Sequence, residues 1–493
     1  MKTRLPVVLA LAAALALAAC APAHTADAPQ NEQTAETAQN AGTAPAEKTA
    51  PEPQTAGPAG AFFTVEAWNA TEPVFNAGDA YYMLDPTYHL GYCLLTEIDY
   101  ATAEQRVVCR VPGCGHDTDA CPAYFPGKGR ELCVFTVGET LYVYRPVVTM
   151  HYEGSWDDYY AEVVAPKLQE RPQGWETLTD EELLAYCRGR YAEQSAPAGL
   201  YVIEGGGTSR RELTCTQDLA STFMRWCDGA ALYGYAYDAL PTGNSAGYRI
   251  ALADGSVTTF PLMQYEKIVG AQGGRLLTSR PVADAPLPDP GQNWEAYDAA
   301  MQNAVVEYDW LDPATGMRSK VLERPRDASL YEDNGFCGLL NGELVFEEQE
   351  LQDDGTALDR ALCAYDPAAG TWRDLLRPLP DASMTLRHPD AACPASSAAC
   401  TAPYLWFTGS SGWTEDLTWV LDIRTGTLTA VQQKLADAPY GPQAVYPLAQ
   451  TDDGRFLVRT AYRGEGELYD YGLIGIDAFL QGSTDYTPVQ MLA

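Results

Sequence analysis

Beyond residue 61, apolar and polar positions alternate with period two along much of the chain. VVEYDWL, ALCAY and LTWVL each run into a short polar link, and MRSKVL, TWRDLL and TLTAV follow on the far side. Alternation of this period marks strands with one buried face. The three links read Asp-Pro-Ala-Thr-Gly (312–316), Asp-Pro-Ala-Ala-Gly (366–370) and Asp-Ile-Arg-Thr-Gly (422–426). An Asp-x-x-x-Gly link between two strands predicts a hairpin whose Gly takes a positive φ.

The links recur at a nearly constant interval, their Asp standing at positions 312, 366 and 422. Looser copies extend the series at a similar interval: Asp254-Gly255 before the first link, and Asp477, with Gly482 beyond it, after the last. Upstream of each hairpin stands a further strand, at ALYGYAY (231), GRLLTSR (274), GELVFEE (342), PYLWFTG (403) and GRFLVRT (454). Four strands in a repeating unit of this size are what one propeller blade requires. Residues 80–111 and the pair 140–145 and 199–214 supply two less regular units.

The reading is therefore all-β: a β-propeller over 61–493, most consistent with seven blades, six and eight being left open by the count. Two packed β-sandwiches are the rival, and they do not demand a fixed period. Ring closure is expected from the N-terminal strand FFTVEAW joining the last blade, since closure removes exposed sheet edges. Within the second blade an insertion of about 155–198 breaks the pattern. There Thr179-Asp180-Glu181-Glu182 forms a capping box ahead of a helical run, ELLAYCRGRYAEQ.

The chain ahead of Phe62 follows a different pattern. Lys2 and Arg4 precede a run from Leu5 to Ala19 without charge. That run falls short of the roughly 20 apolar residues of a membrane span, and a basic start before a short apolar run is the pattern of an export signal, placed at 1–19. From Ala21 to about position 60 the chain is nearly all Ala, Thr, Pro, Gln, Glu, Asn and Gly. Such a segment buries too little apolar surface to offset its ordering entropy, so 20–60 is expected to be a disordered tether.

Charge narrows the partners. There are 32 basic and 66 acidic residues, a net charge of −34, which loss of Lys2 and Arg4 with the signal takes to −36. Such a surface repels anionic polymers and argues against nucleic acid. Cysteine adds a second bound: of 13, one lies at position 20, leaving twelve, an even number that in an exported protein invites disulfides. Cys93, Cys133 and Cys363, however, sit in apolar strand-like runs and read as buried thiols.

One segment carries candidate chemistry. VVCRVPGCGHDTDACPAYF places Cys109, Cys114, His116 and Cys121 where the last strand of the first blade should leave for the second. Three thiols and an imidazole can surround a structural zinc ion, and Pro112, Gly113 and Gly115 let the loop fold back around it. The spacing matches neither a zinc knuckle nor a paired CxxC ribbon, so a disulfide and free thiols stay open beside zinc. Four protein ligands would leave no open position for catalysis. Trp406, Trp413 and Trp419 are a candidate ligand face, although aromatics of this kind more often fill the wedge between blades. The pairs Asp157-Asp158, Asp353-Asp354 and Asp452-Asp453 read as turns rather than as calcium or glycosidase carboxylates, and the sequence holds no G-x-S-x-G, H-E-x-x-H, P-loop or dinucleotide motif.

The run ending Leu17-Ala18-Ala19-Cys20 resembles the lipobox of bacterial lipoproteins. With the Ala/Thr/Pro tether, the C-x4-C-x-H-x4-C segment and the repeated Asp-Pro-x-x-Gly hairpins, the chain resembles surface lipoproteins of Gram-positive-type bacteria that carry a β-propeller domain. That resemblance implies a lipid on Cys20 and attachment to the membrane's extracytoplasmic face, and brings no activity with it. The expected function is a non-enzymatic binding or scaffold module for a glycan, a peptide or an envelope protein. The alternative is an extracytoplasmic polysaccharide-active enzyme, a lyase or glycosidase, on the same fold.

Overall fold

The computed structural model describes residues 62–492 except 66–72, 86–90, 149, 173–174, 216–218, 220–221, 238–244, 327–333, 352–356, 382, 387–403, 410–416, 439–440, 442 and 464–468. Among the described residues the strands form seven antiparallel sheets, each built from four consecutive strands in sequence order. Blade one is Val74–Asn76, Ala80–Asp85, Tyr92–Asp99 and Glu104–Val107; blade two is Cys133–Val137, Thr140–Arg145, Gly199–Glu204 and Ser209–Thr214. Blade three is Thr222–Cys227, Ala231–Tyr237, Ser245–Ala251 and Val257–Pro261, and blade four Lys267–Gln272, Arg275–Val282, Val305–Leu311 and Arg318–Pro325. Blade five is Phe336–Leu340, Glu343–Leu351, Ala357–Asp366 and Thr371–Leu376; blade six is Thr385–Leu386, Tyr404–Gly409, Leu417–Asp422 and Thr427–Ala430. Pro447–Gln450, Arg455–Tyr462, Tyr469–Gly475 and Thr487–Pro488 complete blade seven. The fold is the seven-bladed β-propeller that the repeat predicts.

Packing between the sheets shows why a ring results. Each blade buries both faces, and the buried clusters run from blade to blade: blades one to three share Leu95, Phe135 and Leu232, three and four share Tyr235 and Ile268, and four and five share Tyr308 and Phe346. Blades five to seven share Leu362, Phe407 and Phe456. The series returns to its start where Tyr81, Met83 and Ile98 meet Leu457, Tyr471 and Val489.

The hairpins sit at equivalent corners, joining the third and fourth strands of blades four, five and six. In each, the Asp carbonyl accepts from the Gly amide at 2.8 Å: Gly316 to Asp312, Gly370 to Asp366, Gly426 to Asp422. The Asp carboxylate takes the amide two residues on, at Ala314, Ala368 and Arg424, and the glycines have φ of 71°, 66° and 69°. Blade three differs in detail. There Gly255 donates to Ala251, so Ala251 and not Asp254 is the counterpart of Asp312. Blade one carries a copy that lacks the glycine: Ala103, at φ 55°, donates to the carbonyl of Asp99. In blade seven the same connection is a short helix, Ile476–Leu480.

Closure departs from expectation. The strand at Phe63–Thr64 does not join blade seven. It pairs with the innermost strand of blade three, Phe63 opposite Cys227 and Thr64 opposite Trp226, and so covers the edge that faces the axis of the ring. All seven blades are contiguous in sequence, so the seam between blades one and seven is held without strand exchange. Gln105 donates to the carbonyl of Gln490 (2.9 Å), Gln490 to that of Ala103 (2.8 Å) and Asp452 to that of Gly78 (3.0 Å). Side chains add to it: Asn76 donates to the Gln450 carbonyl at 2.8 Å and Arg455 to that of Tyr100 at 2.7 Å. The buried apolar cluster across the seam replaces what strand exchange would otherwise supply.

The insertion lies between the second and third strands of blade two, as the sequence predicts. Helical turns at Trp156–Tyr159, Tyr160–Val164 and Ala165–Gln169 precede the helix Asp180–Gln194, and Thr179 and Glu182 make the capping box reciprocally, at 3.2 and 2.7 Å. Asp157 and Asp158 are not a turn: they open the first of these helices, where Ser155 caps and Asp158 answers it. Acids there suit the positive end of the helix dipole. Asp452 and Asp453 do form a turn, with Gly454 donating to the Thr451 carbonyl at 3.2 Å, and Asp353-Asp354 lies outside the described residues. No helix among the described residues is long and apolar enough to cross a membrane.

Candidate functional site

The cysteine-rich segment is an excursion from the outer strand of blade one rather than its exit. The third strand, Tyr92–Asp99, pairs on its outer side with Glu104–Val107 at one end and with Tyr124–Pro126 at the other. Between them 108–123 loops out and returns. Leu95 closes its base, accepting from Val108 at 2.9 Å and donating to the Ala123 carbonyl at 2.8 Å. The loop leans on blade two, where Arg110 donates to the carbonyl of Gly207 at 2.9 Å and Arg210 reaches the carbonyls of Asp119 (3.1 Å) and Tyr124.

Within this loop the four expected residues come together. One ligand atom from each of Cys109, Cys114, His116 and Cys121 lies within 4.8 Å of every other, and His116 Nδ1 is 3.3 Å from Cys121 Sγ. Donors around a tetrahedral zinc ion stand about 3.5–3.8 Å apart, from bond lengths of about 2.0–2.3 Å. The ligand atoms therefore lie within about 1 Å of the spacing a coordination shell requires. His116 has φ 58°, a conformation few residues other than glycine adopt, and it points the ring back at the sulfurs. The four side chains can hold a metal, and the soft donor set favours a thiophilic divalent ion.

The sulfurs differ in environment. The backbone N–H of His116 donates to Cys114 and holds its thiol below the usual range. Burial pushes the Cys121 thiol up to about 12, because its surroundings penalise a bare thiolate. The ten described cysteines are thiols, with no disulfide among them. Cys93, Cys133 and Cys363 are buried, as their apolar runs predict.

Two of the three tryptophans expected at a ligand face are buried instead. Trp406 and Trp419, 4 % and 9 % exposed, belong to the buried core of blades five to seven, with Trp406 edge-on to Phe456 at 5.9 Å. They lie in strands whose residues face neighbouring blades, so each indole fills a wedge. Trp413 and Cys20 lie outside the described residues.

Sequence reasoning missed a cleft on the insertion, of about 480 Å³, lined by Tyr152, Tyr159, Tyr186, Lys167, Arg190 and Gln194 among others. The signal was present: Lys167, Arg171, Arg188 and Arg190 fall close together in a strongly acidic chain.

No family model and no curated protein matches the chain. Solved structures do match. The β-propeller domain of the trilobed protease from Pyrococcus furiosus aligns with 84 % of this chain and 93 % of its own at 8 % identity, TM-score 0.41. An acylaminoacyl peptidase aligns over 87 % and 52 % at 9 % identity and TM-score 0.42. An oligogalacturonate lyase in complex with manganese aligns over 56 % and 82 % at 15 % identity and TM-score 0.30.

Proposed function

We propose that the chain is a lipoprotein, acylated at Cys20 and tethered by 21–60, that presents its propeller at the extracytoplasmic face of a bacterial membrane as a non-enzymatic binding or scaffold module. The Leu-Ala-Ala-Cys run ending at Cys20 and the aromatic-free tether behind it support the attachment. The observation that carries the binding role is the helical insertion of blade two. It has a buried core of its own, Tyr159, Val164, Leu183 and Cys187, which the ring does not need for closure. A rigid ring carrying an appendage that has its own core and is seated on blade one is suited to presenting a surface, with a glycan, a peptide or an envelope protein as the partner. The acidic surface repels nucleic acid.

In the same reading the Cys109, Cys114, His116 and Cys121 cluster is a structural zinc site that clips 109–121 and braces blade one on blade two. All four positions are taken by protein, as in closed structural sites. Membrane fractionation with intact-mass measurement tests the attachment: the wild type should fractionate with membranes and carry a diacylglyceryl mass on Cys20, and Cys20→Ala should be released. A wild type that is soluble and unacylated in a bacterial host with lipoprotein processing overturns it.

A further inference from the structure

Basic side chains are scarce in this protein, yet several converge on one place. Lys167 and Arg190 line the cleft between the insertion's helices, together with His151 and Gln194. The ammonium of Lys128, from the loop after blade one, lies 5.8 Å from the centre of the Tyr186 ring, and Arg130 acts on the same tyrosine. No Asp or Glu is among the described residues that line the cleft, although acids outnumber bases 66 to 32 in the chain. Two acids border the cleft: exposed Glu162 accepts from Tyr152 at 3.1 Å, and buried Glu193 pairs with Arg190 and accepts from the Gly129 amide at 3.0 Å.

The walls are aromatic. Tyr152 and Tyr159 meet edge to face at 5.0 Å, Tyr159 and Tyr191 pack at 5.4 Å, and Trp175 lies edge-on to Tyr186 at 4.8 Å, with Lys167 5.9 Å above the Trp175 ring. These contacts fix the rings before any ligand arrives, which lowers the ordering cost of binding. Tyr186 and Tyr152 are only half-buried, and Met150 and His151 stand exposed at the rim. Rigid aromatic walls with cations at their edges suit a ring-shaped ligand that carries a carboxylate: the sugar stacks, and the carboxylate takes a charge-assisted hydrogen bond.

We infer that the cleft of the blade-two insertion, built by Tyr152, Tyr159, Tyr186, Lys167 and Arg190, binds an acidic saccharide through one uronate residue. This rests on the binding-module reading and supplies its ligand class. An extended peptide is disfavoured by the same walls. Apart from the irregular stretch Met150, His151 and Tyr152 they are helical, and none of the described lining residues lies in a strand whose edge a peptide backbone could pair with.

Calorimetric titration of the full chain in mild detergent tests this with three probes: a hyaluronan hexasaccharide, its carboxyl-reduced counterpart and a hexaglutamate peptide. Saturable binding of the first alone is expected. Lys167→Gln should weaken it at least about tenfold, the worth of a charge-assisted hydrogen bond, with the thermal unfolding midpoint unchanged. Tyr186→Leu should weaken binding of the same probe. No binding of the uronate probe, equal binding of the reduced sugar or peptide, or indifference to both substitutions would overturn the proposal. Binding of the reduced sugar or the peptide in place of the uronate would overturn this proposal and leave the binding-module reading standing, so the two failures are distinguishable.

Discussion

At the residue scale the hairpins separate backbone from side-chain effects. A Cβ at Gly316 or Gly426 would meet nothing within 4 Å, yet both residues lie at φ near 70°. Gly316→Ala and Gly426→Ala should each cost about 1 kcal/mol through backbone strain alone. Being two blades apart, they should add in the double variant, as measured by urea unfolding. The carboxylates of Asp312 and Asp422 are held below their ordinary range, Asp312 by Thr315 and the amides of its own turn, and Asp422 by Arg424. A depressed folded-state value contributes stability above the unfolded value of about 3.9 and loses it as pH falls through and below that point. Asp312→Ser keeps a side-chain acceptor but does not titrate, so its urea midpoint should fall less than the wild type's between about pH 5 and about pH 3. At the cluster, purified wild type should contain one zinc per chain by elemental analysis and Cys114→Ser much less; a metal-free wild type that takes up no zinc after reduction would end that reading. These residues were legible because the turn chemistry is local, and so are the ligands, all carried by one short loop. The glycine-free copy at Asp99–Ala103 was not legible, since the ring's packing and not the residue holds Ala103 in place.

At the scale of elements the insertion shows how a helix can be predictable while its seat is not. Thr179 and Glu182 announce the start of Asp180–Gln194. Nothing local announces that Gly189 lies against Gly91, where a Cβ would fall 1.7 Å from the Gly91 carbonyl oxygen. Gly189→Ala should therefore force the helix off blade one at a cost of about 1–3 kcal/mol. Proteolysis within 155–198 should quicken, whereas the unfolding midpoint of the ring moves little. If cleavage does not change, the helix seats elsewhere. The tryptophans make the complementary case: their composition is visible in the sequence, but burial depends on which blade stands beside them.

For the whole molecule the vulnerable place is the seam. Blades one and seven share no strand, so Val489 and the Gln490 hydrogen bonds bear on closure more than their number suggests. Removing 487–493 takes away the outer strand of blade seven, one apolar anchor and the Gln105 and Ala103 partners. It should cost about 3–5 kcal/mol, and blades one and seven should lose hydrogen-exchange protection before blades three to five. Uniform loss of protection would show instead that the ring opens as one unit.

The sequence by itself determined the strands, the regular repeat, the turns and the place of the insertion, because each is written in residues close together along the chain. A four-stranded unit with two apolar faces cannot stand alone, and that requirement leads to a ring. Only the tertiary structure decided where the ring closes, which edge Phe63–Thr64 covers, and that Tyr186 and Lys167 line one cleft with Lys128 beside the Tyr186 ring. Those outcomes rest on pairings between residues far apart, chosen by shape and burial, and no local pattern records them.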